Sequence, residues 1–469
     1  MRDWKIRIEP FHFTDILKCN IRKTVNDHAT AQVVCHISDQ LEDQYVEMAL
    51  KGVQTIIYAR DDTSREKVVF NGLPRDLSIE TKNNMKILTI ELVSASYLMD
   101  NFAHTRTFQN AAMTYDDVLG FLGAGYENYG VVLTVGLGTP IKDIIVQYKE
   151  TDWEFAKRLA SHFNSMVIPV YHLDGINYCF GLPNRPSDVI AHPIEYTLQK
   201  AVGEYTFKKE NKVSGLREAD AIYYRVKDRE IHELAQRVTF KDRELYIYEI
   251  QSELEGSELV HTYTLKSKEG FRTKYAYNEA MIGASLEGSI LKIKQDMVKV
   301  HVHVDPEQDL ETAKWFAYST VYSSPDGTGW YAMPEEGDAV RLYLPNEKEA
   351  DGYIISAVHL QPSNNQARTN PDFKSMRNKY DKEVLFTPGS LTFTNNKGMY
   401  IEILDDEGIS IVSDKKITII ADNELAIAST EADISTTAPE GIFFEQNDTR
   451  EIMHDDVYIS GSQVVVQEP

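Results

Sequence analysis

Residues 393–427 carry two apolar columns that repeat with a period of eight. One column is Phe393, Ile401, Ile409, Ile417 and Leu425. The other is Ile403, Ile411, Ile419 and Ile427, each two residues after a member of the first. Residues two apart on a strand share a face, so each octad predicts one short strand with two apolar side chains on one side. Turn formers and charges fill the gaps: Asp405-Asp406-Glu407-Gly408, Ser413-Asp414-Lys415-Lys416 and Ala421-Asp422-Asn423-Glu424.

A fixed repeat implies one structural unit stacked on copies of itself. Eight residues supply one edge of a β-coil, not its circumference. The simplest closure uses three chains, each giving one face of a triangular prism. The nine apolar side chains would then line a threefold axis and be buried only in the oligomer, at roughly 1.5–3 kcal/mol each. An antiparallel meander with evenly spaced turns, or a single-chain solenoid, would give the same spacing.

With 469 residues the chain has room for two to four domains. It contains no run of eighteen apolar residues, and the opening MRDWKIRIEP lacks the apolar segment of a secretion signal. Assembly in the cytoplasm is therefore expected. Cys19, Cys35 and Cys179 are too few and too scattered for a disulfide framework or a zinc cluster and are expected as reduced core residues. A net charge of −23 argues against nucleic acid and anionic membranes as partners. From Ile401 to Glu440 ten acidic residues face two lysines, which would give a thin β rod a soluble outer surface and blunted edges.

The first hundred residues predict strands. Ala29, Ala31, Val33, Cys35 and Ile37 alternate with mostly polar neighbours, and Asn83-Asn84 is a tight turn between Leu77–Thr81 and Met85–Leu92. A small antiparallel barrel follows from this pattern. Thr114 is placed to cap a helix over 115–122, and Thr151-Asp152-Trp153-Glu154 is a capping box. That second helix puts Trp153, Ala156, Leu159 and Ala160 on one face, with Lys157 and Arg158 off it. Asp174-Gly175 predicts a hairpin. Residues 200–275 return to strands, Tyr275–Tyr277 among them. Five strands between Gly288 and Val358 suit an OB-type barrel.

Four stretches resemble one family. Thr105-Arg106-Thr107-Phe108-Gln109-Asn110 is similar to its "SRIFQ" segment, and residues 145–159, IVQYKETDWEFAKRL, to its "QYxETDxxFxxRL" stretch. Residues 286–359, with Pro334-Glu335-Glu336-Gly337-Asp338, resemble its OB barrel, and residues 393–427 its spike. The family is VgrG, the hub-and-spike proteins of type VI secretion and related contractile injection systems, akin to the fused hub and spike of contractile phage tails. The resemblance implies a homotrimer that caps the inner tube and joins the baseplate, with a membrane-puncturing needle driven through a target envelope. A PAAR-like tip protein or effector cargo would be further partners. It also implies a particle component that is ejected toward the target cell.

The expected fold is mainly β: an α+β hub of antiparallel β-barrels with short helices (residues 1–284), an OB-fold barrel (285–360), a linker (361–384) and an intertwined trimeric β-prism or β-helix (385–469). The chain departs from the family in two respects. About 25 residues separate Val358 from the octads, too few for the lysozyme domain of some phage members. The last residues hold no His-x-His iron site; His301-Val302-His303 lies within the OB barrel.

No nucleophile elbow, zincin or P-loop motif occurs, so no catalytic residue, cofactor or metal ligand is assigned. Gly120–Gly125 reads as a helix end and turn rather than a phosphate loop. His301 and His303 read as a solvated strand face, and Trp315 and Trp330 as OB core or subunit contacts rather than a sugar platform. The expected role is structural and non-enzymatic. A β-helical wall- or polysaccharide-degrading enzyme and a receptor-binding spike are the alternatives.

Overall fold

The computed structural model describes residues 6–60, 66–358, 369–454, 456–460, 462, 463 and 465. The chain divides into two compact units, Met1–Gln361 and Pro362–Pro469.

The first unit is built on a twelve-stranded sheet. The predicted strand at 29–37 forms as Thr30–Ile37, with Ala31, Val33, Cys35 and Ile37 all buried, as the alternation requires. Asn83 and Asn84 both take positive φ (52° and 59°), the left-handed pair of a tight hairpin turn. The two strands expected over 67–72 and 77–81 are one, Glu66–Lys82, bent by an irregularity at Pro74, a residue with no N–H for the ladder. The strands that sequence spacing grouped into separate sets share this sheet. Asp15–Thr24 pairs antiparallel with Arg243–Glu255, so residues 195–266 extend the N-terminal strands.

Two helices were absent from the sequence reading. α1 (Glu42–Leu50) interrupts a region read as strands. Tyr45 anchors it deeply, its hydroxyl donating to the His12 carbonyl and accepting from the His12 N–H, both at 2.7 Å. α2 (Tyr115–Gly123) and α3 (Asp152–Ser161) start at Thr114 and Thr151 with complete capping boxes. α4 (Val202–Glu210) lies in a stretch read as strand and buries no residue, so it has no apolar stripe to announce it. Residues 275–277 form no strand; the Tyr275 and Tyr277 rings lie 4.7 Å apart, and Tyr275 stacks on His162.

A second core gathers around α2 and α3, with Trp153, Phe155, Ala156 and Leu159 almost fully buried. A third is the five-stranded barrel, ordered Trp315–Ala317, Met297–Val302, Ala284–Lys294, Ala339–Leu344, Tyr353–Val358. Its core also takes in Ile144 and Val146 from the hub side, so barrel and hub share apolar residues. Trp330 does not join that core. It is 59% exposed, while Trp315 is half-buried under Lys299. Cys19, Cys35 and Cys179 are buried and free.

The second unit opens with a five-stranded antiparallel meander: Lys374–Arg377, Glu383–Thr387, Ser390–Thr394, Tyr400–Leu404, Gly408–Val412. Its first strand, and the start of its second, fall where a linker was expected. From 413 to 441 no described residue lies in a strand, so Ile417, Ile419, Leu425 and Ile427 are without strand partners in the single chain. A three-stranded antiparallel sheet, Ile442–Gln446, Thr449–His454 and Asp456–Ser460, follows. The sequence also suggests a terminal β tip over 457–466; its end, Val464 and Val466, lies outside the described residues.

Candidate functional site

The octad period has a direct origin in the meander. A five-residue strand, Tyr400–Leu404, and a three-residue turn, Asp405–Glu407, make one repeat, and Gly408 accepts φ +95° where the chain re-enters the ladder. Reversal of direction then crosses the columns: Ile401 stands opposite Ile411, and Ile403 opposite Ile409. Phe393 pairs with Ile401 and Leu391 with Ile403. One strand earlier, Val384 pairs with Phe393 and Phe386 with Leu391. Directly paired residues in an antiparallel sheet share a face. Val384, Phe386, Leu391, Phe393, Ile401, Ile403, Ile409 and Ile411 therefore form one continuous apolar face.

Six of these eight residues are exposed, and Val384 and Leu391 are half-buried. The nine column residues, Phe393, Ile401, Ile403, Ile409, Ile411, Ile417, Ile419, Leu425 and Ile427, are between 42% and 71% exposed. The opposite row, Leu385, Thr392, Glu402 and Ser410, is half-buried, with Thr392 donating to Glu402 at 3.1 Å. The sheet is inverted with respect to a soluble monomer, whose apolar patches rarely exceed a few hundred Å².

Three of the four stretches that carry the family resemblance, 105–110, 145–159 and 286–359, meet elsewhere, at the junction of hub and barrel. Arg158 is 4% exposed. Its guanidinium donates to both Glu150 oxygens, to the Val146 carbonyl at 2.7 Å and to Glu349, from the barrel's last loop, at 2.7 Å. Burial opposes its charge, but Glu150 and Glu349 outweigh burial and raise its pKa. Asp152, equally buried, accepts from Arg106 and Gln147 at 2.9 Å and from Tyr126 at 2.7 Å. Thr107 donates its N–H to Asp305 at 2.8 Å, and the Gln109 amide reaches the Val300 carbonyl at 3.1 Å. The sequence signal for this cluster was the motif itself. Helical periodicity put Arg158 off the apolar face and so missed that it is buried.

One constellation has the composition of a hydrolase triad. His28 lies 2.8 Å from Ser96 Oγ through Nδ1 and 2.8 Å from Asp100 through Nε2. Ser96 is 2% exposed and also bonded to Ser94 at 2.9 Å, and Asp100 accepts from Thr151. The geometry locks α3 onto the sheet and offers the serine no open approach. His301 Nε2 is 2.8 Å from the Asp305 carbonyl oxygen, and its ring centroid is 5.8 Å from that of His303. Among the described residues no group of three metal-ligating side chains occurs. The Gly120–Gly125 stretch closes α2, and a side chain at Gly123 would strike the Tyr129 ring.

No protein-family model matches the sequence, and no curated protein matches it significantly. Solved structures do match. The E. coli c3393 protein, a type VI secretion component similar to the T4 phage tail proteins gp27 and gp5, aligns at a TM-score of 0.53 and 11% identity, over 75% of this chain and 99% of its own. A chain of the Francisella PdpA–VgrG complex in its half-lidded form aligns at 0.56 and 11% identity, over 87% of each chain. The lidless PdpA–VgrG complex gives 0.56 and 10%, over 87% of this chain and 97% of its own. At such identities the likeness is one of fold: a mainly β, VgrG-like hub-and-spike fold.

Proposed function

We propose that the chain is a non-enzymatic, homotrimeric hub and spike of a contractile injection apparatus or phage-like tail. The observation that carries this reading is the inverted sheet. Phe393, Ile401, Ile403, Ile409 and Ile411 form an apolar face that one chain leaves in water, and the same octads continue through Ile417, Ile419, Leu425 and Ile427, which find no partner strand. Three copies of this face closing on one axis bury both features, and a fixed axis at the C-terminus requires threefold symmetry upstream. The hub-like fold supports a place at the end of a tube, with tube protein, baseplate proteins, and a tip protein or cargo as partners. Ejection toward a target envelope follows from that place. The mechanism is mechanical: a rod assembled beforehand needs no conformational work at penetration, and its apolar columns resist splaying.

Electron microscopy of the purified chain tests the reading. Class averages should have threefold symmetry, and zymograms on cell walls should stay blank. A monomeric particle, or cleared bands that depend on Ser96, would overturn it.

A further inference from the structure

A lysine occupies a core position in the hub sheet. Cys19, Ile21 and Lys23 alternate inward along Asp15–Thr24, and Lys23 is 2% exposed. Its ammonium lies 4.0 Å from the Tyr171 ring centroid, and among the described residues it has no hydrogen bond or ion pair. Burial pushes its pKa down to about 7, and no carboxylate counteracts this.

Lys23 borders a cavity of about 430 Å³. His232, also on the lining, is 4% exposed, with Nδ1 3.1 Å from an Asp188 oxygen and neither ring nitrogen in a well-aligned hydrogen bond among the described residues. Lys67 donates to the Ile231 carbonyl at 3.2 Å, and Arg185 is paired with Glu233. Of the two carboxylates of the lining, Glu233 is paired with Arg185 and Asp188 accepts from the Val189 N–H, while three cationic side chains line the cavity in a chain of net charge −23. His172 and His232 are pushed down by burial, as is His261, which feels Lys23 from two strands away in the sheet. These imidazoles add no charge near neutral pH. Val69, Tyr171 and Ile231 supply an apolar wall.

We propose that this cavity binds a small organic anion, with one carboxylate or phosphate head on the Lys23 ammonium and an apolar body against Val69, Tyr171 and Ile231. A bare inorganic ion would satisfy the charge and leave most of the volume empty. Carboxylate and phosphate monoester heads share the chemistry that Lys23 requires.

Calorimetric titration of the full chain with benzoate, phenyl phosphate, acetate and inorganic phosphate, against chloride at matched ionic strength, is the test. Benzoate or phenyl phosphate should bind saturably and more tightly than its bare counterpart, and which of them binds identifies the head group. Lys23→Met should weaken binding at least about tenfold with an unchanged circular-dichroism spectrum. The wild-type protein gives a second readout. Both aromatic probes hold constant charge above pH 7, so their affinity should fall on the order of tenfold between pH 7 and 8.5 as Lys23 deprotonates. No saturable binding of any probe at about 10 mM would mean a merely hydrated lysine and overturn the proposal. Unchanged affinity in a folded Lys23→Met protein, or across that pH range, would overturn it as well.

Discussion

The two units solve the burial problem in opposite ways. The first unit hides its apolar residues within one chain: Trp153, Phe155 and Leu159 around α3, Val298, Val300 and Phe316 in the barrel, and even the charges of Arg158 and Asp152 are enclosed and matched. The second unit turns its apolar rows outward and keeps Thr392, Glu402 and Ser410 half-covered. A chain with 42% hydrophobic residues can be complete in one part and unfinished in another. In the proposed trimer the unfinished part is where assembly acts, because its burial would depend on copy number rather than on the chain alone.

That contrast breaks most sharply at Ile411. Changing it to Asp would set three carboxylates on the proposed axis, each buried uncompensated charge costing on the order of 3–5 kcal/mol. The trimer should be lost while the melting of the first unit is unchanged, checked by sedimentation and calorimetry. Arg158→Met makes the converse break. It leaves Glu150 and Glu349 facing each other across the hub–barrel junction, and the first unit should lose about 3–5 kcal/mol in denaturant unfolding with the oligomeric mass retained. Leu159→Ala, a cavity in a fully buried site, should cost the same unit about 2–5 kcal/mol.

Acid sharpens the comparison with a smaller effect. Burial pushes both His162 and His261 down to about 3, from a usual value of 6.5. A depressed folded-state pKa means stability that is fully present above pH 6.5 and lost as pH falls toward 3, about 1.4 kcal/mol per pH unit for each group. The second unit holds one histidine, His454. Between pH 6.5 and 5 the first unit's melting temperature should therefore drop while the second's holds, seen as two calorimetric transitions moving apart.

Local chemistry was legible where a residue acts within its own few neighbours. Thr114 and Thr151 announced α2 and α3, Asn83-Asn84 announced a turn, and the alternation from Ala31 to Ile37 announced a buried strand. The octads were legible because their apolar columns recur every eight residues in the sequence, a period that the strand Tyr400–Leu404 with its three-residue turn matches. What stayed hidden depends on distance or on the lack of a pattern. No local signal could say that Arg22 would meet Glu249 across the sheet, or that Arg158 would be buried by Glu349. α4 shows no apolar stripe, and α1 too weak a one, to separate them from strands. Lys23 stayed hidden because its strand, Asp15–Thr24, was not among those read from the sequence, and a lysine carries no local signal of burial.

Light-scattering mass of the full chain after size exclusion tests the central claim most directly. The monomer is 53.5 kDa. Closure of three inverted sheets on one axis predicts a single species of about 160 kDa that persists on dilution. A stable monomer, with the Phe393-to-Ile427 columns left in water, would contradict it.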